Sequence, residues 1–361
     1  MKIVDSLQIP SQQSLEVKAI WQPLAEAHRY LAELKGLCES LPNSAILLDT
    51  LSIQEAKDSS EIENIITTHD ELFAYEQSSS SSAAAKEVQN YIAALRVGYF
   101  DVLESGLIRL NTILRVQEAV EQNNAGLRKV PGTVLKNQTT GAVVYEPPQD
   151  AVVIEKLMTE LVEFIHAGNG QKDELDPLLR MAIAHHQFES IHPFYDGNGR
   201  TGRILNLLML QREGLLDLPV LYLSRYITST KNQYYQLLQS TRETGDWVDW
   251  CVYMVKGVAM TAKSEVKLVK TLRDLMQTTK HRLRNELPKI YSQELLNNLF
   301  RYPYTKIEFL EKDLGVSRIT AAKHLDTLAA NGFVEKRKIG RKNFYINHPL
   351  FALLTQITLE E

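Results

Sequence analysis

The sequence predicts a mainly α protein: a helical core with one small β-hairpin, followed by a helix-turn-helix and β-wing at the C-terminal end. Three observations carry this reading. Apolar residues recur at helical spacing along most of the 361 residues, as in Ile154, Leu157, Met158, Leu161, Val162 and Ile165, which form one stripe. One segment, residues 129–149, switches to β-favouring Val134, Val143, Val144 and Tyr145 flanking the turn formers Thr140 and Gly141. After Pro288, helix start and stop signals repeat at short intervals before two β-like pieces.

Composition narrows the class. A 44% hydrophobic fraction supports real cores, and a net charge of -4 argues for no nucleic-acid partner overall, so any such partner must be argued locally. The two cysteines, Cys38 and Cys251, are far apart and lack partners at ligand spacing. That excludes a disulfide framework and a cysteine-based zinc site, and makes the reduced cytoplasm the expected compartment. The start carries no signal-like apolar run and no segment is long enough to cross a bilayer, so no membrane contact is expected.

In chain order, residues 1–100 read as an N-terminal helical region. Its low-complexity run Gln77 to Ala85 (QSSSSSAAA) has little to bury and is expected to be a mobile loop. Residues 101–263 read as the core, 264–287 as a charged linker helix ended near Pro288, and 288–361 as a separate domain. There, Ser292 to Phe300, Lys306 to Leu314 (ended by Gly315) and Arg318 to Ala330 (begun by Ser317, stopped at Asn331 and Gly332) read as three helices. The piece FVEKRKIGRKNFYIN follows, turning around Ile339 and Gly340, so the domain resembles a winged helix.

The densest chemistry lies in IHPFYDGNGRTGR, residues 191–203, just before the apolar run that opens with Ile204. Gly197, Asn198 and Gly199 adopt positive φ cheaply, so successive N–H groups can point into one concavity, and the helix that follows adds its positive end. Such a concavity suits phosphate. Arg200 and Arg203, at i and i+3, share a helical face and can fork onto phosphate oxygens, which suggests a polyphosphate. Asp196 offers a hard oxygen for Mg²⁺, which takes few protein carboxylates, and His192 is the side chain best matched to general-base work. His185 and His186 adjoin in an apparent helix without a third acidic ligand and read as structural; Phe194 reads as a core anchor.

The combination resembles the Fic (Fido) family motif HxFx(D/E)GNGRxxR, met at His192, Phe194, Asp196, Gly197, Asn198, Gly199, Arg200 and Arg203. The resemblance implies a mostly helical Fic core that transfers AMP from ATP with Mg²⁺ to a Ser, Thr or Tyr hydroxyl of a protein, the protein itself included. By position, His192 would deprotonate the hydroxyl and Asp196 would hold Mg²⁺. The run Gly197 to Arg203, with Thr201 and Gly202 inside it, would hold ATP, Arg203 at the γ-phosphate. The hairpin Lys136 to Tyr145 would be the flap that aligns the target, and Ser229, Tyr234 and Tyr235 would lie near adenine. Upstream, Ser59, Glu63 and Asn64 resemble the family's inhibitory motif (S/T)xxxE(G/N), on a helix near 55–68, whose glutamate pairs with the second motif arginine. Two other readings are a de-AMPylating enzyme using the same site and a DNA-binding regulator. In the regulator, the site would sense nucleotide while Arg318, Lys323, Lys336, Arg337, Lys338, Arg341 and Lys342 approach DNA. A dimer contact is the other expected use of that domain.

Overall fold

A computed structural model describes residues 5–41, 43, 45–74, 82–136, 141–167, 175–339 and 342–355. The N-terminal region folds as α1 (Gln12–Leu15), α2 (Lys18–Ser40), α3 (Ala45–Ile62), α4 (His69–Ala74) and α5 (Ala83–Ser105). Ser82 caps α5 by accepting from the Ala85 N–H at 3.1 Å, so the expected loop gives way to helix at Ser82, and its residues 77–81 lie outside the described residues. The core continues through α6 (Leu110–Glu121), the antiparallel pair β1 (Leu135–Lys136) and β2 (Val143–Tyr145), α7 (Ala151–His166), α8 (Pro177–Ile191), α9 (Asn198–Arg212), α10 (Leu223–Ser229), α11 (Lys231–Thr244) and α12 (Val248–Glu286). The hairpin's turn at Thr140 lies outside the described residues.

Helix α8 is the axis of the core. Leu178 through Ile191 are all buried, and α7, α9 and α12 pack around it. Although it carries Arg180, His185, His186, Gln187, Glu189 and Ser190, it has no solvent face and is held by its neighbours. The α7 stripe behaves as its spacing predicts, with Val162 alone only half-buried. Asp150 and Asp176 cap α7 and α8 by accepting from first-turn N–H groups. Residues 264–286 are the second half of the unbroken α12, which lies along α2 and is no separate connector.

The C-terminal part forms α13 (Gln293–Arg301), β3 (Tyr304–Thr305), α14 (Ile307–Leu314), α15 (Arg318–Ala330), β4 (Glu335–Ile339), β5 (Lys342–Ile346) and α16 (His348–Thr355). Ser292 and Ser317 cap α13 and α15, and Gly315 ends α14 at φ 65. The wing strands pair in register from Glu335 with Ile346 to Ile339 with Lys342; its tip, Gly340 and Arg341, lies outside the described residues. β3 adds to β5 to give the sheet order β3-β5-β4. Two residues of β3 carry no strand signal by themselves, which is why the sequence shows only the hairpin.

The domain does not stand apart. Arg301 donates to Asp49 of α3 at 2.5 Å, Tyr304 donates to Asp70 of α4, and the Phe73 ring stacks on Tyr304 at 5.8 Å. No helix among the described residues is long and apolar enough to cross a membrane.

Candidate active site

The α8–α9 turn places the motif at the mouth of a cleft of about 690 Å³. His192 ends α8 in the left-handed region, φ 48 and ψ 59, with its N–H donating to Phe188 O. Asn198 staples the turn: its amide accepts from Phe194 N–H and donates to Phe194 O, both at 2.8 Å. Phe194 is fully buried, as its core role requires. With its side chain so engaged, Asn198 offers the cleft its backbone. Gly197 is the N-cap of α9 at φ 74, and the first-turn amides of that helix have no partner within it, which is the geometry of an anion site.

Burial, aided by the Arg128 and Arg242 guanidiniums, pushes the His192 imidazole down to about 3, so it is neutral at physiological pH, and its Nδ1 has no hydrogen-bond partner. Asp196 is exposed on the rim, one carboxylate oxygen accepting from Gly197 N–H at 2.8 Å. That leaves a hard oxygen beside the anion site, a donor set that fits Mg²⁺ shared with phosphates. No group of three metal-ligating side chains exists among the described residues, so one carboxylate is what the chain brings.

The two arginines differ. Arg203 lines the cleft and faces α3: its Nε donates to Ser59 Oγ at 2.7 Å, and Nη2 donates to Ser59 O at 2.9 Å and Glu63 Oε1 at 2.7 Å. Burial opposes its charge, but Glu63 and weaker neighbours outweigh that and raise its pKa above the ordinary value. Arg200 is turned away from the cleft into a cluster of three carboxylates: Glu121 at 2.7 Å, Glu87 at 3.0 Å and Glu63 Oε2 at 3.2 Å from Nε, the last without hydrogen-bond alignment. Glu63 therefore bridges both arginines at the N-terminus of α9. A Cβ on Gly199 would come within 2.5 Å of Glu63 Oε1, so only glycine lets the carboxylate approach so closely.

The end of α3 explains this placement. The helix runs from Ala45 to Ile62, starting earlier than the expected 55–68, and Asn64 terminates it at φ 63 while Ile65 N–H donates back to Ser60 O. Left-handed backbone at a helix end favours Gly or Asn, which is why an amide follows the glutamate. Asn64 also accepts from Lys231 Nζ at 3.3 Å.

Several expected residues sit elsewhere. Arg200, Thr201 and Gly202 are absent from the cleft lining; Thr201 is buried, and a Cβ on Gly202 would meet Phe188 and Glu189 at 3.0 Å. Ser229 also lies off the lining, its hydroxyl donating to Tyr226 O at 2.8 Å, because a short helix end offers the hydroxyl a nearer acceptor. Tyr234 forms the inner wall, buried, its hydroxyl 2.9 Å from His185 Nε2, while Tyr235 is 46% exposed on the same wall. His185 and His186 are structural, bonded to Tyr234 and Leu238 O.

The sequence reading missed Glu189 and Arg242 on the lining, and the Glu87 and Glu121 partners of Arg200. Burial lifts the Glu189 carboxyl to about 7 against the pull of Arg203 and Arg242. Glu189, three residues before His192, was the nearest to a readable signal; the others are distant in sequence. On the outer rim, Val134, Leu135, Lys136, Val144 and Tyr145 close the cleft, and Tyr145 is fixed by donating to Ser190 O at 2.9 Å.

Fold and site together define a helical anion-site protein whose site is occupied by its own carboxylate. Residues 21–100 match the family profile "Fic/DOC family N-terminal", and residues 275–350 match "Protein adenylyltransferase SoFic-like, C-terminal domain". In these two segments the chain is similar to Fic-family proteins. It is 32% identical over 123 residues to the protein adenylyltransferase fic-1 of Caenorhabditis elegans (33% of this chain, 22% of that protein). It is 34% identical over 91 residues to a probable protein adenylyltransferase of Aquifex aeolicus (25% of this chain, 27% of that protein). The chain thus spans only about a quarter of the length of these curated relatives. Among solved structures, a Fic family protein from Desulfovibrio desulfuricans superposes with a TM-score of 0.59 at 20% identity, covering 91% of this chain and 96% of that one, and at that identity it establishes the fold alone.

Proposed function

We propose that the protein transfers AMP from ATP to a hydroxyl side chain of a protein, and that Glu63 restrains it. The observation that carries this is the convergence in one cleft of His192, Asp196, the α9 N-terminus and Arg203, with Glu63 on the arginine. The neutral His192 accepts the proton of the target hydroxyl as its oxygen attacks the α-phosphorus. The bond from that phosphorus to the bridging oxygen of pyrophosphate breaks, and pyrophosphate leaves. The α9 amides and the Arg203 guanidinium stabilise the charge that gathers on the phosphate oxygens. Asp196 is the residue that would hold Mg²⁺, which when bound would neutralise phosphate charge. Arg203 is available to the γ-phosphate only when Glu63 withdraws.

The exposed β2 residues Val143 and Val144 support the hairpin as the strand on which an extended target segment docks. For the C-terminal domain, local pairing argues against DNA as the main partner: Arg318 is within 3.2 Å of Glu308, and Lys336 within 2.7 Å of Asp326. A protein contact fits that mixed charge better. The test uses ATP labelled at either the α- or the γ-phosphate, with Glu63→Gly protein and a hydroxyl-bearing acceptor. Label from the α-position should stay on protein and label from the γ-position should leave; retention of the γ-label would make the enzyme a kinase instead.

A further inference from the structure

Arg128 lies in the loop between α6 and β1 with 1% of its surface exposed. An isolated buried charge is heavily penalised, so a guanidinium at such a depth ordinarily meets a carboxylate. This one meets main-chain carbonyls: Nε donates to His192 O at 2.7 Å, and Nη2 donates to Pro148 O at 2.8 Å and Ile191 O at 3.3 Å. Its own backbone N–H donates to Pro193 O at 2.8 Å, and Nη1 is buried without a partner. One residue therefore grips Ile191, His192 and Pro193 in succession. These carbonyls form the negative end of α8, where a cation is favoured. The backbone they hold is unfavourable, since a non-glycine residue at φ 48 costs roughly 1–2 kcal/mol.

We infer that Arg128 is the positioning residue of the base: it holds the left-handed backbone that turns the His192 imidazole into the cleft. The inference rests on the reading of His192 as base. Arg128 also acts through charge. The charges that act on His192 are Arg128 from the loop and Arg242 from α11, while Glu189 from α8 itself, Tyr195 and Asp196 from the turn, and Tyr145 from β2 line the same cleft. Arg242 is tied down by Ser190 Oγ at 2.9 Å and Glu189 O at 3.1 Å, and covers the Tyr145 ring at 4.1 Å. Burial is the largest cause of the low His192 pKa and Arg128 is the next. Losing the guanidinium must therefore raise the pKa, making the base protonate at higher pH.

The experiment places Arg128→Met and Arg128→Lys in the full-length Glu63→Gly protein and measures kcat and KM for ATP from about pH 5 to about pH 9. Arg128→Met should lower kcat roughly ten- to a hundredfold, part of what a general base contributes, while KM for ATP stays within about threefold. Its acid limb should lie above the parent's, because burial and Arg242 still act on the imidazole but the Arg128 charge is gone. Arg128→Lys should keep the parent's acid limb but still lose kcat, since one ammonium cannot span three carbonyls. Parental kcat in either variant would overturn the inference. Should Arg128→Met fail to fold, Arg128→Lys decides alone, parental kcat refuting. A ring-nitrogen NMR titration of His192 in the nucleotide-free protein needs no catalysis and separates this inference from the proposed activity. The midpoint should rise in Arg128→Met, and an unmoved midpoint counts against Arg128 even if no transfer is ever seen.

Discussion

Replacing Glu63 with glycine should release the enzyme, and the geometry sets the size of the effect. The carboxylate makes one well-formed charge-assisted hydrogen bond, to Arg203 Nη2 at 2.7 Å, and one unaligned ion-pair contact with Arg200 at 3.2 Å. A hydrogen bond to a charged group contributes about 1.5–3 kcal/mol, equivalent to roughly ten- to a hundredfold in the population of the competent state. The Glu63 side chain is 25% exposed, so solvent screening favours the lower half of that range. Arg203 keeps both Ser59 contacts after the change and stays in place to receive the γ-phosphate. Arg203→Ala should lose transfer even when combined with Glu63→Gly, because it removes the phosphate partner along with the inhibitory one. The assay is the initial rate of adenylyl incorporation at saturating ATP and Mg²⁺ for the parent, both single variants and the double. Equal rates in parent and Glu63→Gly, with unchanged thermal unfolding, would refute the restraint. A double variant as active as Glu63→Gly would refute the dual role of Arg203.

His192→Ala should lower transfer in the Glu63→Gly protein by about 10²- to 10⁴-fold while leaving calorimetric ATP affinity largely intact, since the phosphate groups are met beyond Asp196. Arg301→Ala cuts the link from the C-terminal domain to Asp49 on α3; a partly exposed pair of up to about 1 kcal/mol predicts at most a fivefold rise in transfer, absent when Glu63 is already glycine. Gly197→Ala should lower the unfolding temperature, because alanine at φ 74 costs about 1–2 kcal/mol and its Cβ would meet Glu121 at 2.5 Å. Glu55 is buried among Ser224 and Tyr91, and burial lifts its carboxyl to about 7. A raised carboxyl contributes stability that is complete below the unfolded value of about 4.5 and lost as pH rises through about 7, whereas the buried neutral histidines pull the other way. The test is therefore the difference in unfolding temperature between Glu55→Gln and parent, which should grow in favour of glutamine as pH rises from about 5 to about 8. A constant difference would contradict it.

What could be read in the sequence was local chemistry. His192, Asp196 and the Gly197 to Arg203 run lie within one turn and one helix start, so spacing alone brings them together. Ser59, Glu63 and Asn64 were legible for the same reason, one helical turn plus a residue that tolerates left-handed backbone. The surroundings of Arg200 were not legible, because Glu87 and Glu121 come from α5 and α6 and nothing in GNGRTGR says which of its two arginines faces the cleft. The partner of Ser229 was not legible either, since a hydroxyl near a helix end bonds its own helix's carbonyls, here Tyr226 O. The same limit applied to the fold. Helix spacing revealed the α7 stripe and the three C-terminal helices, but the docking of Arg301, Tyr304 and Phe351 against α3 and α4 depends on pairings more than two hundred residues apart.

The central claim is that this cleft moves AMP onto a hydroxyl and that Glu63 restrains it. Intact-mass and fragmentation analysis of the Glu63→Gly protein after incubation with ATP and Mg²⁺, beside the parent and the Glu63→Gly, His192→Ala double variant, tests it most directly. The account predicts one or more adenylyl groups on Ser, Thr or Tyr side chains of Glu63→Gly, far fewer on the parent, and none on the double variant. An unmodified Glu63→Gly protein that binds ATP, supplied with a protein extract in which no adenylylated product appears, would contradict it.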